Sequence, residues 1–163
     1  MYDPILNDLR RGAVADALAA AEALAAERPD DAQALRWLSA AQLQSGQTEA
    51  ALASIDRAIA LAPEDAELHL ARAGVLVGSR KPDEARAALD QATGLDPNQF
   101  TAYVLQAQLA LARGDLDEAQ RLNRLAARVA PEHPRLAFVE GMVLLRQGDA
   151  EAALKQLSAA LQR

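Results

Sequence analysis

Cysteine is absent from this 163-residue chain, which removes disulfides, thiolate nucleophiles and zinc–thiolate centres from consideration and leaves the redox compartment open. Aromatic residues are scarce, at 3% against 51% hydrophobic residues in total. The apolar content is therefore mostly Ala and Leu, which suits helices packed closely through small side chains and not β-branched or aromatic strands. Positive charge is not in excess either: a formal net charge of −6 argues against nucleic acid or an anionic membrane surface as a partner. No run approaches the roughly 18 apolar residues of a membrane helix. The N-terminus, MYDPILNDLRRG, lacks the basic and then apolar segments of a signal peptide. With Met1 as the native start, the expectation is a soluble cytoplasmic protein; a trimmed chain fits the periplasm equally.

Reactive groups are also sparse. The two histidines, His69 and His133, are too few and too far apart in sequence to suggest a metal centre. No glycine-rich phosphate loop, HExxH-like helix or calcium-binding loop is present. The acidic pairs Glu64–Asp65, Asp83–Glu84 and Asp117–Glu118 stand where helices are expected to start, and negative charge there complements the helix dipole. Capping explains them better than acid–base chemistry does. The expectation is a chain that is not an enzyme, with no catalytic residues, no metal and no cofactor.

What the chain does have is a period. Pro29, Pro63, Pro97 and Pro131 are 34 residues apart. Ala17, Ala51, Ala85, Ala119 and Ala153 keep the same step, as do Leu24, Ala58, Ala92, Ala126 and Ala160. A further column reads Gly12, Gly46, Arg80, Gly114 and Gly148, with one exception to glycine. Such columns point to a repeat architecture.

Each repeat reads as two helices. In residues 32–63, Leu35, Leu38 and Leu43 form a first stripe, and Ala51, Leu52, Ile55, Ala58 and Ile59 a second. Gly46 separates them where a helix end needs positive φ, and Pro63 closes the unit. Asp115 followed by Glu118 predicts a capped helix start. The pattern predicts helices over 4–11, 13–27, 32–45, 48–61, 66–78, 82–94, 100–112, 116–129, 134–146 and 150–161. A strict alanine column also predicts that the two helices of each hairpin cross there, because only small side chains allow approach to about 8 Å.

These residues resemble the tetratricopeptide repeat family, a 34-residue helix-turn-helix. The first full unit carries the pattern as Leu35, Leu38, Ser39, Gly46, Ala51, Ala58 and Pro63. The third carries it as Tyr103, Ala107, Gly114, Ala119, Ala126 and Pro131, with Gln106 in place of the usual Leu; the fourth has Gly141, Leu144, Gly148, Ala153 and Ala160. The second departs most, with His69 and Arg72 at normally large apolar positions and Arg80 at the turn. The resemblance implies an all-α fold, a right-handed α-α superhelix of helical hairpins in a single domain over 1–163. Its parts would be a partial N-terminal unit at 1–31 and repeats at 32–65, 66–99, 100–133 and 134–163. The last repeat lacks its end and the polar-faced capping helix usual in the family, which leaves Leu154, Leu157 and Leu161 without a later helix to pack on.

The resemblance further implies a concave groove lined by the first helices and used for protein partners. Transferred position by position, its lining is Gln33, Arg36, Ala40, Leu43 and Gln44, then Glu67, Leu70, Gly74 and Val77, then Thr101, Val104, Gln108 and Leu111, then Arg135, Phe138, Met142, Leu145 and Arg146. A mixed, rather apolar groove suits an amphipathic helix or an extended peptide; the competing reading packs several of these residues between neighbouring units. Family members that clamp a peptide carboxylate use Lys and Asn on successive first helices. Here only Arg36 could serve, so a carboxylate clamp is not expected. Trp37 either borders the groove or packs on the preceding unit. The leading expectation is a peptide- or protein-binding scaffold. The alternatives are an assembly module that forms a homodimer through the open C-terminal end, with residues 1–11 capping a partner copy, and the recruiting part of a longer enzyme.

Overall fold

A computed structural model of the chain describes residues 2–161, with side chains through Ser158. Arg163 and the side chains of Ala160 and Leu161 lie outside the described residues, so the expectations placed on them rest on sequence alone. Among the described residues the regular structure is all helical: α1 (Asp3–Arg11), α2 (Val14–Glu27), α3 (Ala32–Gln44), α4 (Thr48–Leu61), α5 (Ala66–Gly78), α6 (Pro82–Leu95), α7 (Phe100–Arg113), α8 (Leu116–Val129), α9 (Pro134–Gln147) and α10 (Ala150–Leu161). The periodicity places every one of these helices to within a residue at each end.

Two backbone devices repeat along the chain. At the turn inside each hairpin, Gly12, Gly46, Gly114 and Gly148 take φ of 74°, 82°, 81° and 90°. The residue after each donates its N–H five residues back, as Gln47 does to Gln42 O at 2.8 Å and Asp115 to Ala110 O at 2.9 Å. This is the Schellman closure of a helix end. Arg80 adopts the same left-handed conformation, φ 58°, and Lys81 N–H still reaches Leu76 O at 2.9 Å. The closure therefore tolerates an L-residue, at a cost of roughly 1–2 kcal/mol. At the joints between hairpins, Asp31, Asp65, Gln99 and His133 each donate N–H to the carbonyl three residues earlier at 3.2 Å. Asp31 then caps α3 by accepting from Gln33 N–H and Ala34 N–H, and Asp65 caps α5 by accepting from Glu67 N–H. Asp115 caps α8 by accepting from Glu118 N–H at 3.2 Å, as the spacing predicts.

The alanine columns are the contact points. Ala17, Ala51, Ala85 and Ala119 are fully buried and Ala153 nearly so. The crossing is explicit in the first full repeat, where Ser39 Oγ on α3 donates to Ala51 O on α4 at 2.8 Å. Ser54 Oγ adds a second link to Gln42 Oε1 at 2.8 Å. In the last hairpin the approach is closer still: a Cβ placed on Gly141 would lie 2.7 Å from Leu157 Cγ. Leu157, expected to lack a packing partner, is half-buried against this glycine.

The chain divides into two compact units, Met1–Leu95 and Asp96–Arg163, with the division at the joint that carries Pro97. In the first, α1–α2, α3–α4 and α5–α6 pair as hairpins, and α3 and α5 each pack on the hairpin before them. One layer is formed by α1, α3 and α5. Its cores are Ile5, Leu9, Ala17, Ala21 and Ala41, and then Leu35, Ile55, Ala58 and Leu68. In the second unit, α7–α8 and α9–α10 are the hairpins, and α9 packs on both α7 and α8. Here Ala107, Ala110, Leu111, Ala119, Leu122, Val139 and Val143 form one cluster and Val104, Ala126 and Leu136 another. Asn123 replaces the apolar residue found at Ile55 and Leu89 in its column, and its Nδ2 donates to Leu136 O at 3.2 Å, tying α8 to the start of α9.

Candidate functional site

The first-helix layer of the N-terminal unit carries a continuous set of the expected groove residues. Gln33, on the first turn of α3, donates from Nε2 to Asp65 Oδ2 at 3.0 Å, and its Oε1 accepts from Arg36 Nε at 2.9 Å. Arg36 is thereby held over the Trp37 ring, 4.5 Å from its centroid, a cation–π contact. Trp37 stacks on Tyr2 with centroids 6.3 Å apart and planes 27° from parallel. It also packs against the α1–α2 core, so of the two readings for Trp37 the structure gives packing on the preceding hairpin.

Further along, Leu43 and Leu70 are half-buried, while Val77 is 41% exposed. Leu43 lies under the C-terminal end of α5, where a Cβ on Gly78 would sit 3.2 Å from its Cδ1. Gly74, between Leu70 and Val77 on α5, faces open space: a Cβ there meets nothing within 4 Å.

The C-terminal unit corrects part of the expected lining. Val104 is fully buried against Leu136 and Ala126, and Leu111 is 7% exposed against Val139 and Val143. Neither reaches a surface, because the next first helix, α9, covers both. Thr101 and Gln108 remain half-buried on α7. Met142 is half-buried and packs on the core of this unit. Arg135 is exposed, and Arg146 donates from Nη1 to Leu111 O at 3.4 Å, at the carbonyl end of α7. Phe138 and Leu145 are 46% and 50% exposed. They stand 34 residues after Val104 and Leu111, in the columns that a later hairpin covers.

The unusual residues of the second repeat have local partners. His69 Nε2 lies 2.8 Å from Pro63 O, and Arg72 Nε donates to Asp56 Oδ1 at 2.8 Å. Together with Ile59, Ala87 and Ala88 they line a shallow cavity of about 340 Å³ on the side of α4 and α6. His133 caps α9, its Nδ1 accepting from Arg135 N–H at 3.2 Å, and its ring meets Phe100 at 4.4 Å. The two histidines thus serve different local roles. Among the described residues no group of three His, Asp or Glu side chains could hold a metal ion. No helix there is long and apolar enough to cross a membrane.

Nothing in the sequence pattern signals the contact of Tyr2 with Asp31. Tyr2 Oη donates to Asp31 Oδ2 at 2.7 Å, joining the N-terminus to the cap of α3. This hydrogen bond is the main cause that raises the Tyr2 phenol above its ordinary value and lowers the Asp31 carboxyl below its own; Asp31 is lowered further by the Ala34 and Gln33 N–H groups. The depressed carboxyl stabilises α1 docking above the unfolded value of about 3.9, and that contribution disappears as pH falls through the folded value beneath it. The raised phenol contributes below about 10, and its share is lost as pH rises through the higher folded value. Fluorescence of Trp37, the single tryptophan, is therefore expected to hold a plateau through neutral pH and change at both limits. Tyr2→Phe should remove the alkaline change and move the acid one to higher pH. A pH titration of both proteins, with circular dichroism to track global unfolding, checks this.

Stacked helical hairpins with an exposed, partly apolar first-helix layer define a helical-repeat interaction protein. Sequence profiles of the tetratricopeptide repeat match residues 8–75, 70–122 and 106–163, and the chain belongs to the tetratricopeptide repeat family. No curated protein matches it significantly by sequence alone. Among solved structures, a thermophilic repeat protein of the same family from Thermus thermophilus, TTC0263, is 21% identical. It superposes with a TM-score of 0.84 over 98% of this chain and 88% of that one. The pilF protein of Pseudomonas aeruginosa is 18% identical, with a TM-score of 0.85 over 98% of this chain and 73% of its own. MamA (residues 41 to the end) from Desulfovibrio magneticus RS-1 is 19% identical, with a TM-score of 0.77 over 98% and 90%. At these identities the likeness establishes the fold. Repeat proteins of this family are generally non-catalytic scaffolds, and membership implies protein partners.

Proposed function

We propose that this chain is a non-catalytic scaffold that holds an amphipathic helix or an extended peptide on the first-helix layer of its N-terminal unit. The reading is carried by one observation, the strip Leu43, Leu70, Gly74 and Val77, which is partly apolar, exposed at Val77 and open above Gly74. A partner backbone or side chain can approach closely at a glycine with free space over it, and alternating apolar contacts along such a strip suit a helix or extended segment. Gln33 and Arg36, already held by hydrogen bonds, supply a polar rim at one end. In the C-terminal unit Gln108 and Met142 stand at the repeat position of Gly74, and Arg135 at that of Gln33.

A displayed peptide library selected against the full chain tests this. Selected peptides should carry an apolar spine, and Val77→Asp or Gly74→Glu should weaken them by about tenfold or more, the scale of one lost apolar anchor. Circular dichroism of both variants should match the parent. Undiminished binding to folded variants would refute the assignment of this strip.

A further inference from the structure

We infer that the α9 edge of the C-terminal unit takes an amphipathic helix of another protein, with a carboxylate at its N-cap, seated where a following first helix would pack. This face is separate from the first-helix strip of the N-terminal unit. Phe138 and Leu145 form it, at 46% and 50% exposure. Gly141 lies between them on the same helical stripe, and Leu157 of α10 fills the space over that glycine. One repeat earlier the same columns hold Val104 and Leu111, both buried, and what covers them is a helix, α9. The face therefore suits a helix, and exposed apolar patches mark interaction sites.

The helices that take the equivalent place inside this chain define what fits. Each presents apolar residues three, six and ten positions after its N-cap. On α3 these are Ala34, Trp37 and Ala41 after Asp31. On α5 they are Leu68, Ala71 and Val75 after Asp65, and on α9 they are Leu136, Val139 and Val143 after His133. All nine are buried or packed against a core cluster.

Two of these caps are also recognised by the hairpin before them. Tyr2 Oη donates to Asp31 Oδ2 at 2.7 Å, and Gln33 Nε2 donates to Asp65 Oδ2 at 3.0 Å. Each cap carboxylate thus meets a donor at the start of the preceding first helix. The α9 edge carries a charged donor at that place, because Arg135 stands in the column of Gln33. Arg135 is exposed and forms no ion pair among the described residues. A guanidinium held there selects a carboxylate at the cap of the incoming helix, through a charge-assisted hydrogen bond. A second copy of this chain does not supply such a helix. Of its acid-capped helices, α3 and α5 are packed on their own hairpins. The other two, α8 and α10, put Glu118 three positions after Asp115 and Lys155 six positions after Asp149, where apolar residues are required.

Fluorescence anisotropy with a defined probe tests the inference. The probe is a labelled helical peptide with Asp at its N-cap, Leu, Val and Val three, six and ten positions later, and Ala, Glu and Lys elsewhere. It should bind the full chain with a Kd of about 1–100 µM, the range of a small single face. Leu145→Asp should weaken it about tenfold or more, with circular dichroism unchanged. Asn in place of the probe's cap Asp keeps the peptide helical, since both residues cap well. That change should weaken binding to the parent about tenfold and cost nothing further in Arg135→Gln, a coupling that reads the cap contact itself. Arg135 is exposed, so this cycle decides the matter even where Leu145→Asp fails to fold. No binding up to about 200 µM overturns the proposal, as does an equal loss on the Asn change in parent and Arg135→Gln. Binding that survives in folded Leu145→Asp overturns it too, and its loss in Val77→Asp instead would place the probe on the N-terminal strip. Sedimentation velocity of the free chain should show a monomer; a dimer that Leu145→Asp dissolves would give the face to a second copy and refute the assignment.

Discussion

Leu35→Ala is expected to destabilise the protein by about 2–5 kcal/mol, toward the upper part of the range for buried leucine truncation. Leu35 is 1% exposed and joins Ile55, Ala58 and Leu68, all fully buried, in one cluster. The partly buried residues around it are chiefly alanines, Ala25, Ala32, Ala62 and Ala71, with Ile59. The cost of a cavity depends on how far its walls can collapse. Here α3 and α4 already meet at Ser39 and Ala51, where the hydroxyl-to-carbonyl contact is 2.8 Å. The helices cannot move closer, and alanines have no longer side chain to turn into the void. Urea unfolding followed by Trp37 fluorescence measures the loss, because Trp37 lies in the same N-terminal unit. A change below about 1 kcal/mol would mean that the cluster relaxes around the gap.

Ala119→Leu fails for the opposite reason. Ala119 is fully buried at the start of α8, within the cluster of Ala107, Ala110, Leu122, Val139 and Val143. Three added carbons have no cavity to enter there. Overpacking of this kind costs about 1–3 kcal/mol through off-rotamer side chains and helix displacement. Thermal melting by circular dichroism should show the loss. Ala112→Leu, at an exposed position of α7, serves as the control and should leave the midpoint nearly unchanged. An Ala119→Leu protein that melts with its parent would contradict the role of the alanine column as a crossing point. Ala153, 2% exposed in the same column, should behave as Ala119 does.

Both predictions concern residues legible from sequence, Ala119 because it falls in a strict column and Leu35 because it lies in the apolar stripe of its own helix. The candidate site was legible to a smaller degree. Gln33, Arg36, Leu43, Leu70 and Val77 lie on the expected layer. Val104 and Leu111 do not reach a surface, although both keep the same 34-residue arithmetic. Their columns serve two purposes, lining a face in one repeat and packing under the next helix in another. The neighbouring hairpin decides between them: α9 covers Val104 and Leu111, whereas their later counterparts Phe138 and Leu145 stand about half exposed. Position within a repeat is the same in both cases, so no reading of a single repeat separates them.

The sequence by itself determined the helices, their ends and the crossing of each hairpin. These depend on interactions within a few residues: the N–H of Gln47 returning to Gln42, the carboxylate of Asp115 capping Glu118, a proline where no helix can continue. Only the tertiary structure decided how Trp37 is used, where Tyr2 docks and which apolar residues are left in water. Tyr2 and Asp31 are 29 residues apart, farther than a turn or a cap reaches. Contacts at that range are selected by shape and burial once the hairpins stack, and local pattern carries no record of them.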